Sequence, residues 1–210
     1  MKAVLFDLDG TLHDRVSTLR VWLSGHVTRF DLPEEFAARF LELDDFGYGP
    51  KSVVMPQLRR ELALTPSSAE LLDDYFVHAF SAPVRMPHAY EVLVALRSRG
   101  VRVGLVTNGS SVQQRQTVAG LRVGALVDDL VISEEVGVSK PDPHIYTLAL
   151  DRLGVDTAAD AWFVGDSPRN DVWGPQQIGM RAAYLPTGHA LNGEVPDARL
   201  RDLRDVLTLH

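Results

Sequence analysis

Residues 3–11 read AVLFDLDGT, a short apolar run that ends in two acidic residues, a glycine and a threonine. The length and apolar character of the run predict a buried β-strand over residues 3–8. In an extended segment the carboxylates of Asp7 and Asp9 can point to one side, and Gly10 lets the chain turn sharply just after them. Two close carboxylates can hold a hard cation such as Mg²⁺, although an acidic loop that only caps a turn or a helix has the same composition.

Similar apolar runs recur along the chain and alternate with stretches of helical pattern. The further predicted strands cover residues 101–106, 127–132, 161–165 and 181–185. The predicted helices cover residues 88–99, 110–120, 143–153 and 172–180, and an edge strand near 196–200 precedes a last helix with Asp202 as its N-cap. Strands that alternate with helices of about 10–15 residues indicate an α/β fold, with a Rossmann-like parallel sheet at its core.

The interval between the first two predicted strands is too long for one strand–helix–strand crossover, whose connection is commonly about a dozen residues. Its pattern is helical, with four predicted helices at residues 15–30, 34–43, 51–64 and 67–80. We therefore predict an α/β core formed by residues 1–14 and 86–210, and a helical insert at residues 15–85.

Aromatic residues at helical spacing are expected to form the core of the insert rather than to bind a ligand; they are Trp22, Phe30, Phe36, Phe40, Phe76 and Phe80. His26 is interpreted as a structural or surface residue. The glycine-rich turn at residues 44–51 contains Tyr48 and Lys51, which are either substrate contacts or parts of a solvated connection between two helices.

Polar residues follow the other predicted strands, at the edge where ligands bind in open α/β sheets. Thr107 and Asn108 come after the second strand and just before a helix, where an anion or an ordinary helix cap would fit. Lys140 lies between a turn and a helix start, where it is either an anion contact or a surface residue. Asp166 and Asp171 follow the fourth strand, and such an acidic cluster is costly at a buried strand end unless it is paired or binds a metal.

Four segments, each at a predicted strand end, together resemble the haloacid dehalogenase (HAD) superfamily. They are VLFDLDGTL at 4–12, VTNGS at 106–110, SKPDP at 139–143 and FVGDSPRNDVWGPQQIGM at 163–180. The resemblance covers nearly the whole predicted core. The position of the insert, between the first two segments, is similar to that of the helical cap of the family's first cap class.

The resemblance implies a role for each matching residue. Asp7 would be the nucleophile that attacks phosphorus and forms an aspartyl-phosphate, and Asp9 would be the general acid and base. Mg²⁺ would be held by the Asp7 and Asp166 carboxylates and the Asp9 main-chain carbonyl, with Asp171 acting directly or through water. The phosphoryl oxygens would be bound by Thr107, the Asn108 main chain and Lys140.

The acid at position 9 favours phosphoryl transfer, because the dehalogenases of the superfamily lack it and attack carbon without Mg²⁺. We therefore predict a Mg²⁺-dependent phosphomonoesterase that acts on a small phosphorylated metabolite. The alternatives are a sugar-phosphate mutase similar to β-phosphoglucomutase, a phosphonate hydrolase that uses Lys51, and a non-enzymatic phospho-acceptor module. Thr11 argues against the mutase alternative, because sugar-phosphate mutases of this superfamily commonly have an apolar residue at the corresponding position.

Composition excludes several other classes of protein. The 210 residues include no cysteine, which removes disulfides, thiolate metal sites and cysteine nucleophiles. The formal net charge of −7 argues against nucleic acid or an anionic membrane as the main partner. No apolar stretch is long enough for a signal peptide or a membrane span, so we expect a cytoplasmic protein, whose oligomeric state the sequence leaves open.

Overall fold

The computed structural model describes residues 1–210 and divides into two compact units. The first unit contains Met1–Asp14 and Arg85–His210, and the second contains Arg15–Val84. The first unit is the α/β core and the second is the helical insert.

The α/β core is built on a six-stranded parallel sheet in the order β3-β2-β1-β4-β5-β6. Its strands are β1 (Ala3–Phe6), β2 (Arg102–Thr107), β3 (Asp129–Ile132), β4 (Ala161–Gly165), β5 (Arg181–Tyr184) and β6 (Ala198–Arg199). All residues of β1 and β4 are buried, as expected for central strands of a sheet that is covered on both faces. The predicted α/β parallel sheet is confirmed.

Side chains of β1 alternate between two hydrophobic clusters, so each face of the sheet has its own core. Val4 and Phe6 pack in one cluster, whereas Ala3 and Leu5 pack in the other. The helices that accompany the strands are α5 (Ala89–Ser98), α6 (Ser111–Leu121), α7 (Ser133–Val136), α8 (Pro143–Leu153) and α9 (Gly174–Gln176). The C-terminal segment Leu203–Thr208 is a 3-10 helix whose first turn is capped by the Asp202 side chain.

The helix predicted at residues 172–180 is wrong in both position and winding. The segment Pro168–Trp173 is a π-helix, and α9 continues it only as far as Gln176. The Ser167 side chain accepts a hydrogen bond from the Asn170 N–H and caps the start, and Gly179 at φ +80° follows the end. Single π-helical turns are rare and are found mostly at functional sites.

The helical insert contains four helices around its own hydrophobic cluster. They are α1 (Arg15–Phe30), α2 (Glu35–Asp44), α3 (Lys51–Glu61) and α4 (Ser68–His78). The start of α4 carries a capping box, in which Ser67 and Glu70 satisfy each other's backbone N–H groups. None of the helices in the chain combines the length and the apolar character needed to span a membrane.

Most of the aromatic residues predicted for the insert core are there. Trp22, Phe36, Phe40 and Phe80 are buried, and Phe30 packs against the same cluster. The prediction is wrong for Phe76, whose side chain is 66% exposed. Tyr75 takes the inward position on α4, and the next residue of a helix points about 100° away from it.

The insert also contains two buried ion-pair clusters. Asp74 accepts hydrogen bonds from Trp22 at 2.8 Å, from His26 at 2.7 Å and from Arg29 through two nitrogens. Asp44 accepts from Arg15 and pairs with Lys51 at 2.6 Å. His26 is therefore structural, and Lys51 lies mostly buried against Asp44, whereas Tyr48 on the same turn is 53% exposed.

Candidate active site

The parallel register of the central strands brings Asp7 and Asp166 to one edge of the sheet. Phe6 lies opposite Val164, and the N–H of Asp7 donates to the Val164 carbonyl at 2.9 Å. Asp7 directly follows β1 and Asp166 directly follows β4. Both carboxylates are nearly buried, with residue exposures of 7% each.

Lys140 joins two of the predicted acidic residues. Its Nζ donates to Asp7 Oδ1 at 2.7 Å and to Asp171 Oδ1 at 2.8 Å, and the residue is 5% exposed. Burial opposes the charge on this ammonium, but the Asp171 and Asp7 carboxylates outweigh it and raise the pKa of Lys140. Lys140 is therefore a fixed cation at the end of β1.

Asn108 holds the backbone of Lys140 in place. Its Nδ2 donates to the Lys140 carbonyl at 2.9 Å, and its Oδ1 accepts from the Lys140 N–H at 2.8 Å. This pair of bonds ties the loop after β2 to the segment that carries the lysine. The Asn108 side chain thus positions Lys140 and leaves the Asn108 main chain as the predicted anion contact.

The π-helix delivers Asp171 into the same cluster. Asp171 is fully buried, and its Oδ2 accepts from the Ser167 N–H at 2.9 Å while its Oδ1 faces Lys140. Gly165 makes room for this side chain, because a Cβ at that position would collide with the Asp171 carboxylate. The carboxylate is therefore fixed from two sides.

Two glycines enclose the Asp166 carboxylate. A Cβ at Gly10 or at Gly188 would collide with Asp166, so neither position has space for a side chain. Thr187 joins the two loops, since its hydroxyl donates to the Gly10 carbonyl. The loop after β5 thus forms one wall of the acidic site, a contribution that the sequence motifs did not indicate.

The three carboxylates are close enough to bind one ion. One oxygen each from Asp7, Asp166 and Asp171 lies within 4.8 Å of the other two. Burial raises the pKa of Asp7 to about 7 against the opposing charge of Lys140, and it raises the pKa of Asp166 well above its ordinary range, with Asp7 adding to the effect.

Charge and donor type fit a hard divalent cation. If all three carboxylates are counted as ionised, they and the one ammonium give a formal charge of −2 in a buried site. Oxygen donors of this kind suit Mg²⁺, and a nearby dication would favour the ionised carboxylates and so lower the pKa values of Asp7 and Asp166.

The Asp9 carboxylate lies outside this group of three and has partners of its own. Its Oδ1 is 2.6 Å from His13 Nδ1, and its Oδ2 accepts from Gln114 Nε2 at 2.9 Å. Gln114 Nε2 also lies 3.0 Å from the Thr107 hydroxyl, so one amide connects Asp9 with the residue that ends β2.

Every residue predicted for the site lies in the α/β core at the ends of β1, β2 and β4 or on the segments that contact them. Sequence reasoning missed His13, Gln114 and Gly188. Gln114 is 105 positions from Asp9 in the chain, and no pattern along the sequence pairs the two. His13 stands four residues after Asp9, and its position within VLFDLDGTLHD was the one available signal.

Comparison with known proteins gives the class of this chain. The family profile described as haloacid dehalogenase-like hydrolase matches residues 1–179, and the chain belongs to that family. A glyceraldehyde 3-phosphate phosphatase from Methanopyrus kandleri is 31% identical over an alignment of 230 positions, which covers 99% of this chain and 97% of the relative. A protein with the same name from Pyrococcus abyssi is 30% identical over 198 residues, which cover 90% of this chain and 82% of the relative.

Solved structures share the fold. The magnesium-bound HAD-hydrolase YfnB from Bacillus subtilis superposes with a TM-score of 0.85 at 19% identity, covering 99% of this chain and 97% of that one. At this level of identity the likeness concerns the fold.

Proposed function

We propose that the protein is a Mg²⁺-dependent phosphomonoesterase that hydrolyses a small phosphorylated metabolite through an aspartyl-phosphate on Asp7. The observation that carries this proposal is the buried group of Asp7, Asp166 and Asp171 with the Lys140 ammonium between two of them. Such a group binds a dication and a dianion together, because the cations offset the charge of both carboxylates and phosphate.

Asp7 is the proposed nucleophile. Lys140 holds Asp7 Oδ1, which orients the carboxylate and leaves its other oxygen to attack phosphorus. As the Asp7–phosphorus bond forms, the bond to the leaving oxygen breaks, and Asp9 gives that oxygen a proton. A water molecule then attacks phosphorus, Asp9 takes its proton, and the bond to Asp7 breaks to release phosphate.

Asp7, Asp166, Asp171 and the Asp9 main-chain carbonyl are the proposed Mg²⁺ ligands. The bound cation would supply positive charge next to the phosphoryl oxygens. Lys140 and Thr107 are proposed to bind the phosphoryl oxygens from the protein side, together with the Asn108 main chain. The N-terminus of α6 follows Thr107 closely and adds its positive dipole end to this side of the site.

The names of two relatives support a substrate class. Two relatives that align over most of both chains are named for glyceraldehyde 3-phosphate, a small phosphomonoester. We propose a substrate of this kind, and glyceraldehyde 3-phosphate is the first compound to test. Family membership favours a hydrolase over the non-enzymatic phospho-acceptor. Lys51, which a phosphonate hydrolase would need as a free amine, has its Nζ engaged by Asp44 and the Gly49 carbonyl.

The test is a phosphate-release screen over a panel of phosphorylated metabolites, with Mg²⁺ present and with EDTA. We expect Mg²⁺-dependent release of phosphate from small phosphomonoesters, glyceraldehyde 3-phosphate among them. Full activity after exhaustive chelation would contradict the metal assignment. Net isomerisation of a hexose 1-phosphate, without phosphate release, would show the mutase instead.

A further inference from the structure

The Asp9 carboxylate is held at both of its oxygens. His13 Nδ1 lies 2.6 Å from Oδ1, and Gln114 Nε2 lies 2.9 Å from Oδ2. The two partners are 0% and 2% exposed, whereas the Asp9 side chain keeps 24% of its surface accessible. Both contacts are within hydrogen-bond distance, and in the second one the Gln114 amide is the donor.

The backbone fixes His13 relative to Asp9. The His13 N–H donates to the Leu8 carbonyl at 2.9 Å, and the His13 carbonyl accepts from the Gly10 N–H at the same distance. His13 also pairs with Arg85 as an isolated antiparallel bridge. The turn that contains Asp9 is therefore closed by His13 on the backbone as well as by the imidazole.

Gln114 is braced on the other side of Asp9. Besides Asp9, its Nε2 is close to the Thr107 hydroxyl at 3.0 Å and to the Asn108 carbonyl at 2.9 Å. Gly109 lies against this amide, and a Cβ there would come within 2.9 Å of Gln114 Nε2. The amide is therefore packed against the loop after β2 and hydrogen-bonded to it.

From this geometry we infer that His13 and Gln114 are positioning residues for the general acid and base of the reaction. They hold the Asp9 carboxyl in one orientation, in which its accessible part faces the leaving oxygen. The inference rests on the proposed function, because it assumes that Asp9 transfers the proton. His13 and Gln114 exchange no proton with the substrate: the proton moves from Asp9 to the leaving oxygen as the phosphorus–oxygen bond breaks.

A second buried histidine–aspartate pair provides the control. His26 in the insert is also 0% exposed, and its Nδ1 lies 2.7 Å from Asp74 Oδ2. Replacing either histidine by leucine removes a histidine–aspartate contact and keeps an apolar side chain in the space. A purely structural role would make the two variants behave alike toward substrates.

The experiment measures kcat/KM of His13→Leu for phosphomonoesters whose leaving groups differ in basicity. This parameter covers the steps up to departure of the leaving group and is independent of the later hydrolysis of the aspartyl-phosphate. Dinitrophenyl phosphate releases its leaving group as a stable anion, whereas glycerol 3-phosphate needs a proton on the alkoxide.

For His13→Leu we expect kcat/KM to fall about 100-fold for glycerol 3-phosphate, whose leaving group needs a proton, because general-acid catalysis contributes about 100-fold to 10,000-fold to the rate. For dinitrophenyl phosphate, whose leaving group needs none, we expect kcat/KM to fall less than about fivefold. His13→Asn keeps an N–H donor near the position of Nδ1 and should restore most of the loss. His26→Leu should change kcat/KM, calculated per folded molecule, by the same small factor for all substrates. Circular dichroism of each variant checks the fold, and Gln114→Leu, which removes the other contact to Asp9, should show the same substrate dependence.

An equal loss on every substrate in folded His13→Leu and Gln114→Leu would overturn the inference. Asp9→Asn separates this result from failure of the proposed function. If kcat/KM of Asp9→Asn falls most for the substrates with poor leaving groups while that of His13→Leu does not, only the positioning role is wrong. If kcat/KM of Asp9→Asn falls equally for all substrates, or if the unmodified protein hydrolyses no phosphomonoester, the proposed function is wrong as well.

Discussion

The α/β core and the helical insert each bury a histidine against an aspartate, but the two aspartates have different surroundings. Asp74 in the insert also receives hydrogen bonds from Trp22 and Arg29, and its side chain is only 7% exposed. Asp9 in the core receives its second contact from the neutral amide of Gln114 and keeps 24% of its side chain accessible. The Asp74 carboxylate in the insert is almost fully covered by its hydrogen-bond partners and has a structural role. The Asp9 carboxylate in the core keeps an accessible part that can still contact a ligand.

The two buried lysines show the same contrast. Lys51 shares one carboxylate, Asp44, with Arg15, so the cations in the insert cluster outnumber the carboxylate that joins them. Lys140 bridges two carboxylates of a group of three, which leaves the core cluster with excess negative charge. Excess negative charge in a buried position favours binding of a cation, and on this ground we propose the metal site in the core.

The largest expected difference between the two regions concerns Asp7. Asp7→Asn keeps the size of the side chain but removes the charged oxygen that attacks phosphorus. We expect kcat/KM to fall at least about 1,000-fold, which corresponds to about 4 kcal/mol of transition-state stabilisation. Asp74→Asn in the insert should lower the free energy of unfolding and leave kcat/KM of the folded protein within a few-fold. Steady-state kinetics and thermal unfolding of both variants check this, and substantial activity in Asp7→Asn would remove Asp7 from its role.

Metal binding should stabilise the core site in a measurable way. Mg²⁺ at 100 times its Kd should raise the free energy of unfolding by about 2.7 kcal/mol, which a thermal-shift titration records without any substrate. Asp166→Asn should largely abolish the shift. Gly188→Ala should weaken it, because the added Cβ collides with the Asp166 carboxylate, whereas Gly124→Ala meets only an ordinary contact with Val118. An unchanged shift in Asp166→Asn would show that the cation binds elsewhere.

The insert should be sensitive to acid through Asp74. Although burial opposes its charge, hydrogen bonds from Arg29, His26 and Trp22 lower the pKa of Asp74 from 3.8 to about 2. A lowered pKa means that this stabilisation is complete above about pH 4 and is lost as the pH falls toward 2. Because Arg29 is 44% exposed, we expect a contribution of about 1–2 kcal/mol.

Urea unfolding of the unmodified protein and of Asp74→Asn at several pH values measures this contribution. The difference in the free energy of unfolding should be constant from about pH 5 to 7 and shrink by about 1–2 kcal/mol as the pH approaches 2. Asp73→Asn, on the exposed side of the same helix, is the matched control and should show little difference at any pH. A pH-independent difference for Asp74→Asn would contradict the assigned charge interactions.

The smallest expected effect concerns the turn that precedes α3. Tyr48 is exposed, whereas the Lys51 side chain is only 9% exposed and pairs with Asp44, so variants of the two residues should separate substrate preference from stability. If Tyr48 is a substrate contact, the first of the two alternatives for this turn, Tyr48→Ala changes the ranking of phosphorylated metabolites while hydrolysis of a generic aryl phosphate stays within about threefold. Lys51→Ala should instead lower the melting temperature. An unchanged ranking in Tyr48→Ala would make the turn a plain connector.

Much of the core could be predicted because its signals are local. Buried parallel strands appear as short apolar runs, and the runs at the start of the chain and at residues 161–165 coincide with β1 and β4 to within two residues. The predicted acids and Lys140 then follow from the rule that strand ends meet at one edge. Helix α8 was predicted with its correct bounds, since Pro143 and Gly154 mark its start and end.

The remaining features depend on contacts that no local pattern encodes. A period of 3.6 residues cannot represent the π-helix at residues 168–173, which forms where Asp171 meets Lys140 and the Ser167 N–H. Phe76 was misassigned because adjacent aromatic residues on one helix cannot both face the core. Gln114 and Gly188 reach the site from distant parts of the chain, and only the folded structure brings them to Asp9 and Asp166.

Identification of the residue that carries the phosphoryl group tests the central claim most directly. The variant Asp9→Asn is used because it should slow hydrolysis of the intermediate. It is mixed with dinitrophenyl phosphate and Mg²⁺ and then quenched in acid. Treatment with borohydride then reduces any aspartyl-phosphate to homoserine. Peptide mass spectrometry then locates the modified position. We expect homoserine at position 7 and none at position 74, in an amount that matches the burst of dinitrophenol. Homoserine at another position, or a stoichiometric burst with unmodified Asp7, would contradict the claim that this core site works through an aspartyl-phosphate on Asp7.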